Sequence, residues 1–293
     1  MFSSTHAVTA RDGRALQVFE AGAEGGAPIV YHHGTPSGGD LFDLWVEDAA
    51  ARGARLIGYD RPGYGGSDPH VGRSIADAAA DVAAIADALG FERFVTWGIS
   101  GGGPHALACA TLLGDRVAAA ASLAGVAPPD AEGLDWQGGM GELNQVEFDK
   151  VREGPEALEA WLREEARELL SAGPEGLMES MRTIIGPPDV AVLGEGLASF
   201  LLGSMQRALG ERVDGWRDDD LAFLTDWGFD PAKIAVPVQV WQGEQDVMVP
   251  PSHGRWLAEH VGNADPHVTA EDGHLTLMVN RAPRVQGWLL ERL

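Results

Sequence analysis

Short apolar segments alternate with segments of helical periodicity along the first part of the chain, and this alternation strongly limits the possible folds. The strand-like segments are Pro28–His32, Arg55–Tyr59, Phe94–Trp97 and Ala118–Leu123, and the helical segments between them are Leu41–Arg52, Ile75–Leu89 and Pro104–Leu113. Two strands joined through a helix pair in parallel, and continuous apolar strands are typical of a sheet that is covered on both faces. We therefore predict an α/β fold with a mostly parallel sheet and helices on both faces.

The two ends of the chain extend this pattern. Ala7–Ala10 and Ala15–Phe19 flank Asp12-Gly13, a turn pair that favours an antiparallel hairpin. Strand-like segments return at Val236–Trp241 and Pro266–Thr269, and a helical segment follows each of them.

A long helical segment interrupts the alternation between residues 128 and 229. Its helical patterns are Pro155–Leu170, Glu175–Ile185 and Val190–Leu209. We expect the run Asp218-Asp219-Asp220 to form a solvated turn. Because a segment of this length is too long for an ordinary loop, we predict a core domain formed by 1–127 and 230–293, with 128–229 inserted as a helical lid.

Charge and cysteine content limit the functional class. The 293 residues include 21 Lys and Arg against 44 Asp and Glu, a formal net charge of -23. Such a field repels nucleic acids and anionic membrane surfaces. Cys109 is the one cysteine, so no intrachain disulfide is possible. With no secretory signal and no apolar run of about 18 residues, we expect a cytoplasmic monomer or homodimer that acts on a small molecule.

The segment Gly98-Ile99-Ser100-Gly101-Gly102 fits the G-x-S-x-G pattern of a nucleophile elbow. It lies between a predicted strand and a predicted helix, as this motif requires. A tight turn there would hold Ser100 in a strained backbone conformation and expose its hydroxyl at a helix N-terminus. We therefore predict that Ser100 is a catalytic nucleophile.

A nucleotide-binding interpretation of the same region is less consistent. Gly101-Gly102-Gly103-Pro104-His105-Ala106 also satisfies G-x-G-x-x-A, but the dinucleotide pattern needs an acidic residue about 20 positions later. The sequence there is Ser122-Leu123-Ala124-Gly125-Val126, which has no carboxylate. We expect no cofactor.

A serine nucleophile needs a histidine base and an acid that orients it. For a nucleophile on a strand-to-helix turn, the acid and then the histidine follow later in the chain. Asp246, after a predicted strand, is the expected acid, and His274, in the glycine-containing loop after the last strand, is the expected base. The alternatives are Glu244 and Asp130 for the acid, and His267 (a strand residue) and His260 and His253 (helix-surface residues) for the base.

An oxyanion that forms during acyl transfer needs preorganised hydrogen-bond donors. The backbone N–H of Gly101, directly after the nucleophile, is one candidate. The backbone N–H of Thr35, in the loop His33-Gly34-Thr35-Pro36, is the second. The pair His32-His33 lacks an accompanying metal-binding pattern, so no metal is expected.

These motifs together resemble the α/β-hydrolase superfamily. The matching segments are His33-Gly34-Thr35-Pro36, Asp60–Asp68, Gly98–Gly102, Gly243–Asp246 and Gly273-His274, in that order. The resemblance implies an eight-stranded, mostly parallel core with a helical lid inserted after the sixth strand. It also implies that Asp60–Asp68 is a supporting loop.

The expected activity is that of a serine hydrolase, a carboxylesterase that cleaves a small or medium apolar ester through a Ser-His-Asp triad and an acyl-enzyme. The same triad serves carbon–carbon bond hydrolysis in meta-cleavage hydrolases and perhydrolysis in the cofactor-free haloperoxidase relatives. A non-catalytic binding protein of the same fold is a further alternative.

Overall fold

The computed structural model of the protein describes residues 2–181, 184–210 and 212–293. Eight strands form one sheet: β1 Phe2–Thr9, β2 Ala15–Gly22, β3 Ala27–His32, β4 Ala54–Tyr59, β5 Phe94–Ile99, β6 Val117–Leu123, β7 Val238–Gly243 and β8 Ala264–Thr269. Their order across the sheet is β1-β2-β4-β3-β5-β6-β7-β8. Strands β3 to β8 pair in parallel, while β1 and β2 form an antiparallel hairpin, and β2 pairs antiparallel with β4.

Helices cover both faces of this sheet, as the sequence predicts. The helices that belong to the alternating pattern are α1 Asp43–Ala51, α2 Asp77–Ala88, α3 Gly102–Leu112, α10 Pro251–His260 and α11 Ala282–Leu290. The side chains of α1 and α11 are buried in one core with one face of the sheet, and those of α2, α3 and α10 are buried in a second core with the other face. The predicted α/β-hydrolase arrangement of strands and helices is confirmed.

Local sequence signals set the bounds of α2. The backbone N–H and the hydroxyl of Ser74 both donate to the carboxylate of Asp77, at 2.7 and 2.9 Å, just before the first turn. Gly90 follows the helix with φ of 72°, a conformation that glycine adopts without strain. The alanine-rich stretch between these two signals has a high helix propensity.

Between β6 and β7 the structure contains α4 to α9, and we call all the residues between these two strands the helical segment. Its helices are α4 Glu142–Glu153, α5 Pro155–Ser171, α6 Pro174–Ser180, α7 Pro187–Val192, α8 Glu195–Leu209 and α9 Asp214–Phe223. A single helix was expected over Val190–Leu209, but the structure has two, because α7 ends at Val192 and α8 begins after Gly194. Part of the expected helix Glu175–Ile185 lies outside the described residues. The domain bounds 1–127, 128–229 and 230–293 stay a prediction.

The expectation of a solvated turn at Asp218-Asp219-Asp220 is wrong. The three residues lie in α9, and each is at most 2% exposed. Buried carboxyl groups need partners, and those of the central residue come from distant parts of the chain. Asp219, for example, binds Arg61 and Arg73. A run of three acids therefore marks a buried polar network in this protein.

The sheet brings the carboxyl ends of β3, β5 and β7 to one edge, and the chain forms loops after each of them at His33–Pro36, Ser100-Gly101 and Glu244–Val249. Ligand sites in open parallel sheets lie at this edge. No helix among the described residues is long and apolar enough to cross a membrane.

Candidate active site

Ser100 occupies the sharp turn between β5 and α3. Its φ is 55°, in the left-handed region that non-glycine residues seldom adopt. The backbone N–H of Ser100 donates to the carbonyl of Leu123 at 2.8 Å, and the Ser100 carbonyl accepts from Gly103 N–H at 2.9 Å. These contacts hold the strained turn in place, as the elbow motif predicts.

Two glycines of the motif are required by close approach of the backbone. A Cβ on Gly98 would overlap the carbonyl of Gly102, and a Cβ on Gly102 would overlap the carbonyl of His32. The helix α3 can therefore begin directly beside the end of β3. Its N-terminus, the positive end of the helix dipole, lies next to Ser100 and favours negative charge there.

His274 and Asp246 form a buried pair. The Nδ1 atom of His274 lies 2.8 Å from Oδ2 of Asp246, and both residues are at most 3% exposed. The other carboxylate oxygen, Oδ1, accepts the backbone N–H groups of Met248 and Val249, both at 2.9 Å. Asp246 is thus fixed by its own loop, and its remaining oxygen orients the imidazole with Nδ1 as the donor.

The charge of Asp246 acts on the pKa of His274. Burial opposes protonation of the imidazole, but the neighbouring carboxylate and its hydrogen bond outweigh burial, so the pKa of His274 is raised above 6.5. An imidazolium that forms at this position is therefore stabilised.

The loop that carries His274 is held by a residue from the helical segment. Asp189, in α7, is fully buried. Its Oδ2 accepts the backbone N–H of His274 at 2.9 Å, and its Oδ1 accepts that of Thr276 at 3.0 Å. Sequence reasoning did not identify Asp189, since no motif surrounds it and its partners are 85 and 87 residues away.

The loop at Thr35 is held by Arg61. The guanidinium of Arg61 donates to the carbonyls of His33 and Gly34 and, at 3.0 Å, to the hydroxyl of Thr35. The backbone N–H of Arg61 donates to Nε2 of His33 at 3.1 Å. Burial and the charge of Arg61 hold the pKa of His33 well below 6.5, so this imidazole is neutral and serves to shape the loop.

Asp219 connects this loop to the helical segment. Its Oδ2 accepts the Thr35 hydroxyl at 2.6 Å and Tyr64 Oη at 2.9 Å, and the carboxylate binds the guanidinium groups of Arg61 and Arg73 at 2.5 and 2.6 Å. Burial opposes ionisation, but the two arginines outweigh it and hold the pKa of Asp219 well below its usual range. The segment Asp60–Asp68, expected to be a supporting loop, thus supplies Arg61 and Tyr64 to a network that shapes the site.

A cavity of about 130 Å³ opens at Ser100, and a second of about 70 Å³ adjoins it. Thr35 and Ser100 line both of them, Gly101 lines the first, and His274 lines the second. The structure therefore brings together all five residues predicted for the site. Ser100 and His274 face the same cavity without a direct hydrogen bond between their side chains.

The helical segment forms much of the cavity wall. Of its aromatic and methionine side chains, those that line the two cavities are Met140, Phe148, Met181, Phe200, Met205, Trp216 and Phe223. Others, such as Trp136 and Trp227, are buried in a third hydrophobic core, which the segment shares with residues such as Tyr64 and Val249. The wall is therefore mainly apolar and flexible in shape, which suits a small organic substrate.

The alternative acid and base candidates lie elsewhere. Glu244 pairs with Arg255 at the surface, Asp130 is exposed, and His267 stacks on Trp241. His260 is an exposed residue at the end of α10.

The expected surface position of His253 is wrong. This residue is fully buried, and its ring lies 3.0 Å from the N–H of Ala127 and 2.8 Å from the carbonyl of Trp136. Through these contacts, His253 of α10 holds the start of the helical segment against the core. Among the described residues, no group of three or more His, Cys, Asp or Glu is arranged to hold a metal ion.

The fold and the elbow define a class of protein, and the comparisons with known proteins agree with it. A family model described as the alpha/beta hydrolase fold matches residues 27–281. The chain belongs to the α/β-hydrolase family. A solved α/β-hydrolase fold protein from Nakamurella multipartita has a TM-score of 0.67 and 26% identity, with 99% of both chains covered.

Two curated relatives align with part of the chain. A non-heme chloroperoxidase from Streptomyces lividans is 38% identical over 123 residues, which is 41% of this chain and 45% of the relative. A bifunctional esterase/perhydrolase from Acinetobacter calcoaceticus is 33% identical over 123 residues, with the same coverage of 41% and 45%. Each alignment thus spans less than half the length of the relative.

Proposed function

We propose that the protein is a serine hydrolase that cleaves esters of small or medium carboxylic acids. The observation that carries this proposal is the position of Ser100, strained and at the N-terminus of α3, in a cavity that the His274–Asp246 pair also reaches. A serine needs a base to become a nucleophile, and His274, oriented by Asp246, is the base available at this cavity.

The proposed reaction has two steps. The Ser100 hydroxyl attacks the ester carbonyl while His274 takes its proton, and the backbone N–H groups of Gly101 and Thr35 stabilise the oxyanion. His274 then protonates the leaving alcohol, and a water molecule that His274 activates hydrolyses the acyl-enzyme. Asp246 keeps the imidazole in the required tautomer and stabilises its cation. The bidentate contact of Arg61 with the loop carbonyls keeps the Thr35 N–H in place.

A fluorophosphonate probe tests the proposal, because it reacts with activated serines. We expect one adduct on Ser100, located by peptide mass spectrometry, and no adduct after heat denaturation. Ser100→Ala should abolish labelling, while Ser171→Ala, at an exposed serine at the end of α5, should leave it intact. Absence of labelling in the folded wild type would reject the assignment of Ser100 as nucleophile.

Perhydrolysis is a second candidate, and the similarity to a chloroperoxidase and to an esterase/perhydrolase favours it. In this reaction hydrogen peroxide replaces water as the acceptor of the acyl group, and a peracid is released. Peroxide-dependent bromination of a dye in acetate buffer, compared between the wild type and Ser100→Ala, tests it. Bromination that does not depend on Ser100 would argue against the mechanism.

A further inference from the structure

Two carboxyl groups lie in the wall of the cavity at Ser100. Glu147 comes from α4 and Asp220 from α9, and both line the larger cavity. The rest of this cavity's wall is mostly apolar and includes Val126, Met140, Leu143, Phe148, Phe223 and Val249. Moving an ionised carboxylate into such surroundings costs several kcal/mol unless a partner compensates it, so the pair requires an explanation.

The protein supplies hydrogen-bond donors to only some of the oxygen atoms of these two carboxyl groups. Trp216 Nε1 donates to Oε1 of Glu147 at 2.5 Å, and the carboxyl groups of Glu147 and Asp220 are close enough to influence each other's pKa. Asp220 is 1% exposed, yet no donor in the described part of the chain reaches its Oδ2 atom. Among residues 2–181, 184–210 and 212–293, neither carboxyl group forms an ion pair with Arg, Lys or His.

Both carboxyl groups of the pair resist ionisation. Burial, together with the adjacent Glu147, raises the pKa of Asp220 well above its usual range, and the charge of Arg73 only partly opposes this effect. Burial, with Glu165 as a further acidic neighbour, raises the pKa of Glu147 to about 7. The pair therefore resists holding two negative charges, and a cation placed beside it would stabilise its ionised form. Arg73 forms no ion pair with either group, and its guanidinium is bound by Asp219.

The two carboxyl groups lie on the acyl side of the ester bond that the proposed reaction cleaves. His274 must protonate the leaving alcohol, so the alcohol occupies the smaller cavity, which His274 lines. The acyl group then extends into the larger cavity, which Gly101, Glu147 and Asp220 line.

We propose that Glu147 and Asp220 bind an ammonium group on the acyl part of the substrate, so that the substrate is an ester of an amino-substituted carboxylic acid. This inference rests on the proposed ester-hydrolase function. An ammonium group carries up to three donors, which can satisfy Oδ2 of Asp220 and the Glu147 carboxylate together. The rings of Trp216 and Phe223, which also line this cavity, favour a cation by cation–π attraction.

Other acyl groups fit this arrangement less well. A carboxylate or phosphate on the acyl chain would be repelled by the ionised form of the pair. A purely apolar chain would displace water from the two carboxyl groups and give them no donor in return.

Two chain-matched esters test the inference: p-nitrophenyl 6-aminohexanoate and p-nitrophenyl heptanoate, in which a methyl group replaces the ammonium. We expect the wild type to prefer the ammonium ester in kcat/KM. Glu147→Gln keeps the size of the side chain and an acceptor for Trp216. It should lower the ratio of kcat/KM for the ammonium ester to kcat/KM for the heptanoate ester by about tenfold or more. Asp220→Asn should also lower this ratio. Glu142→Gln, at an exposed position of the same helix, should leave the ratio unchanged.

The outcomes separate the two proposals. Hydrolysis of the heptanoate ester, with a ratio that Glu147→Gln and Asp220→Asn do not change, would overturn the ammonium site and leave the ester-hydrolase function standing. An equal loss on both esters would show that the pair only holds α4 and α9 together, and would also overturn it. If neither ester is hydrolysed and fluorophosphonate does not label Ser100, both proposals fail.

Discussion

The carboxylate of Asp189 accepts the backbone N–H of His274 at 2.9 Å, although the two residues are 85 positions apart. Asp189 belongs to the helical segment, and His274 belongs to the loop after the last strand of the sheet. The position of the proposed base therefore depends on a helix outside the alternating core. We infer that Asp189 is a positioning residue for His274.

Asp189→Ala should lower kcat by about 10- to 100-fold with a smaller change in KM, because a displaced catalytic group costs turnover more than binding. It should also lower the melting temperature, since two buried N–H groups lose their acceptor. Asp189→Asn retains one acceptor oxygen and should recover part of kcat. A rate for Asp189→Ala equal to that of the wild type would exclude the positioning role.

Replacement of the proposed nucleophile or base should abolish most turnover. We expect Ser100→Ala and His274→Ala to lower kcat by about four to six powers of ten, because each removes a group that acts in the covalent step. Steady-state hydrolysis of a p-nitrophenyl ester measures this loss. Retention of a tenth of the wild-type rate by either variant would contradict the assignment.

The acid limb of the pH–rate profile should report His274. Catalysis needs the neutral imidazole, and the pKa of His274 is raised above 6.5, so kcat should fall as the pH decreases through a midpoint above 6.5. Asp246→Asn removes the charge that raises this pKa. Its acid limb should move to lower pH, and kcat should fall by about 10⁴.

A profile of kcat between pH 5 and 9 measures both effects. Glu244→Gln serves as the matched control, because Glu244 is an exposed acid in the same loop. If Glu244→Gln moved the limb and Asp246→Asn did not, the choice of acid would be wrong.

Loss of Asp219 should affect stability and turnover together. Asp219→Ala leaves Arg61 and Arg73 buried without their common partner, which we expect to cost about 3–5 kcal/mol in the free energy of unfolding. It also frees the Thr35 hydroxyl, so kcat should decrease. Urea denaturation followed by fluorescence measures the first effect, with Asp130→Ala, at an exposed loop position, as the control. A stability loss for Asp219→Ala no larger than the control's would show that the arginines find other partners.

The sequence predicted the residues whose signal is local. The strand-to-helix alternation predicted the sheet, and Gly98–Gly102 predicted the strained turn at Ser100, because a close backbone approach and a positive φ demand glycine and a defined spacing. The loops that carry Asp246 and His274 were predicted from the ends of strands. The structure pairs these two residues and places His274 at a cavity that Ser100 also lines. In each case the residues next to the predicted feature in the sequence determine its local structure.

Residues that depend on distant partners were misjudged or missed. The run Asp218-Asp219-Asp220 was expected in water, and His253 was expected on a helix surface, since charged and polar side chains are usually exposed. Both are buried. Arg61 and Arg73 bind Asp219 within the run, and backbone atoms of Ala127 and Trp136 lie within hydrogen-bond distance of the His253 ring. These partners are distant in the sequence, so no local pattern shows them.

The sequence by itself thus determined the α/β architecture, and it was enough to propose a nucleophile, an acid and a base in that order along the chain, since periodicity, glycine spacing and strand ends are properties of short segments. Only the tertiary structure decided how the helical segment acts on the site. Through it, Asp189 holds the loop of His274, Asp219 holds the loop of Thr35, and Glu147 faces Asp220 in the cavity. The physical reason is that a buried charge is stabilised by partners that meet only after folding.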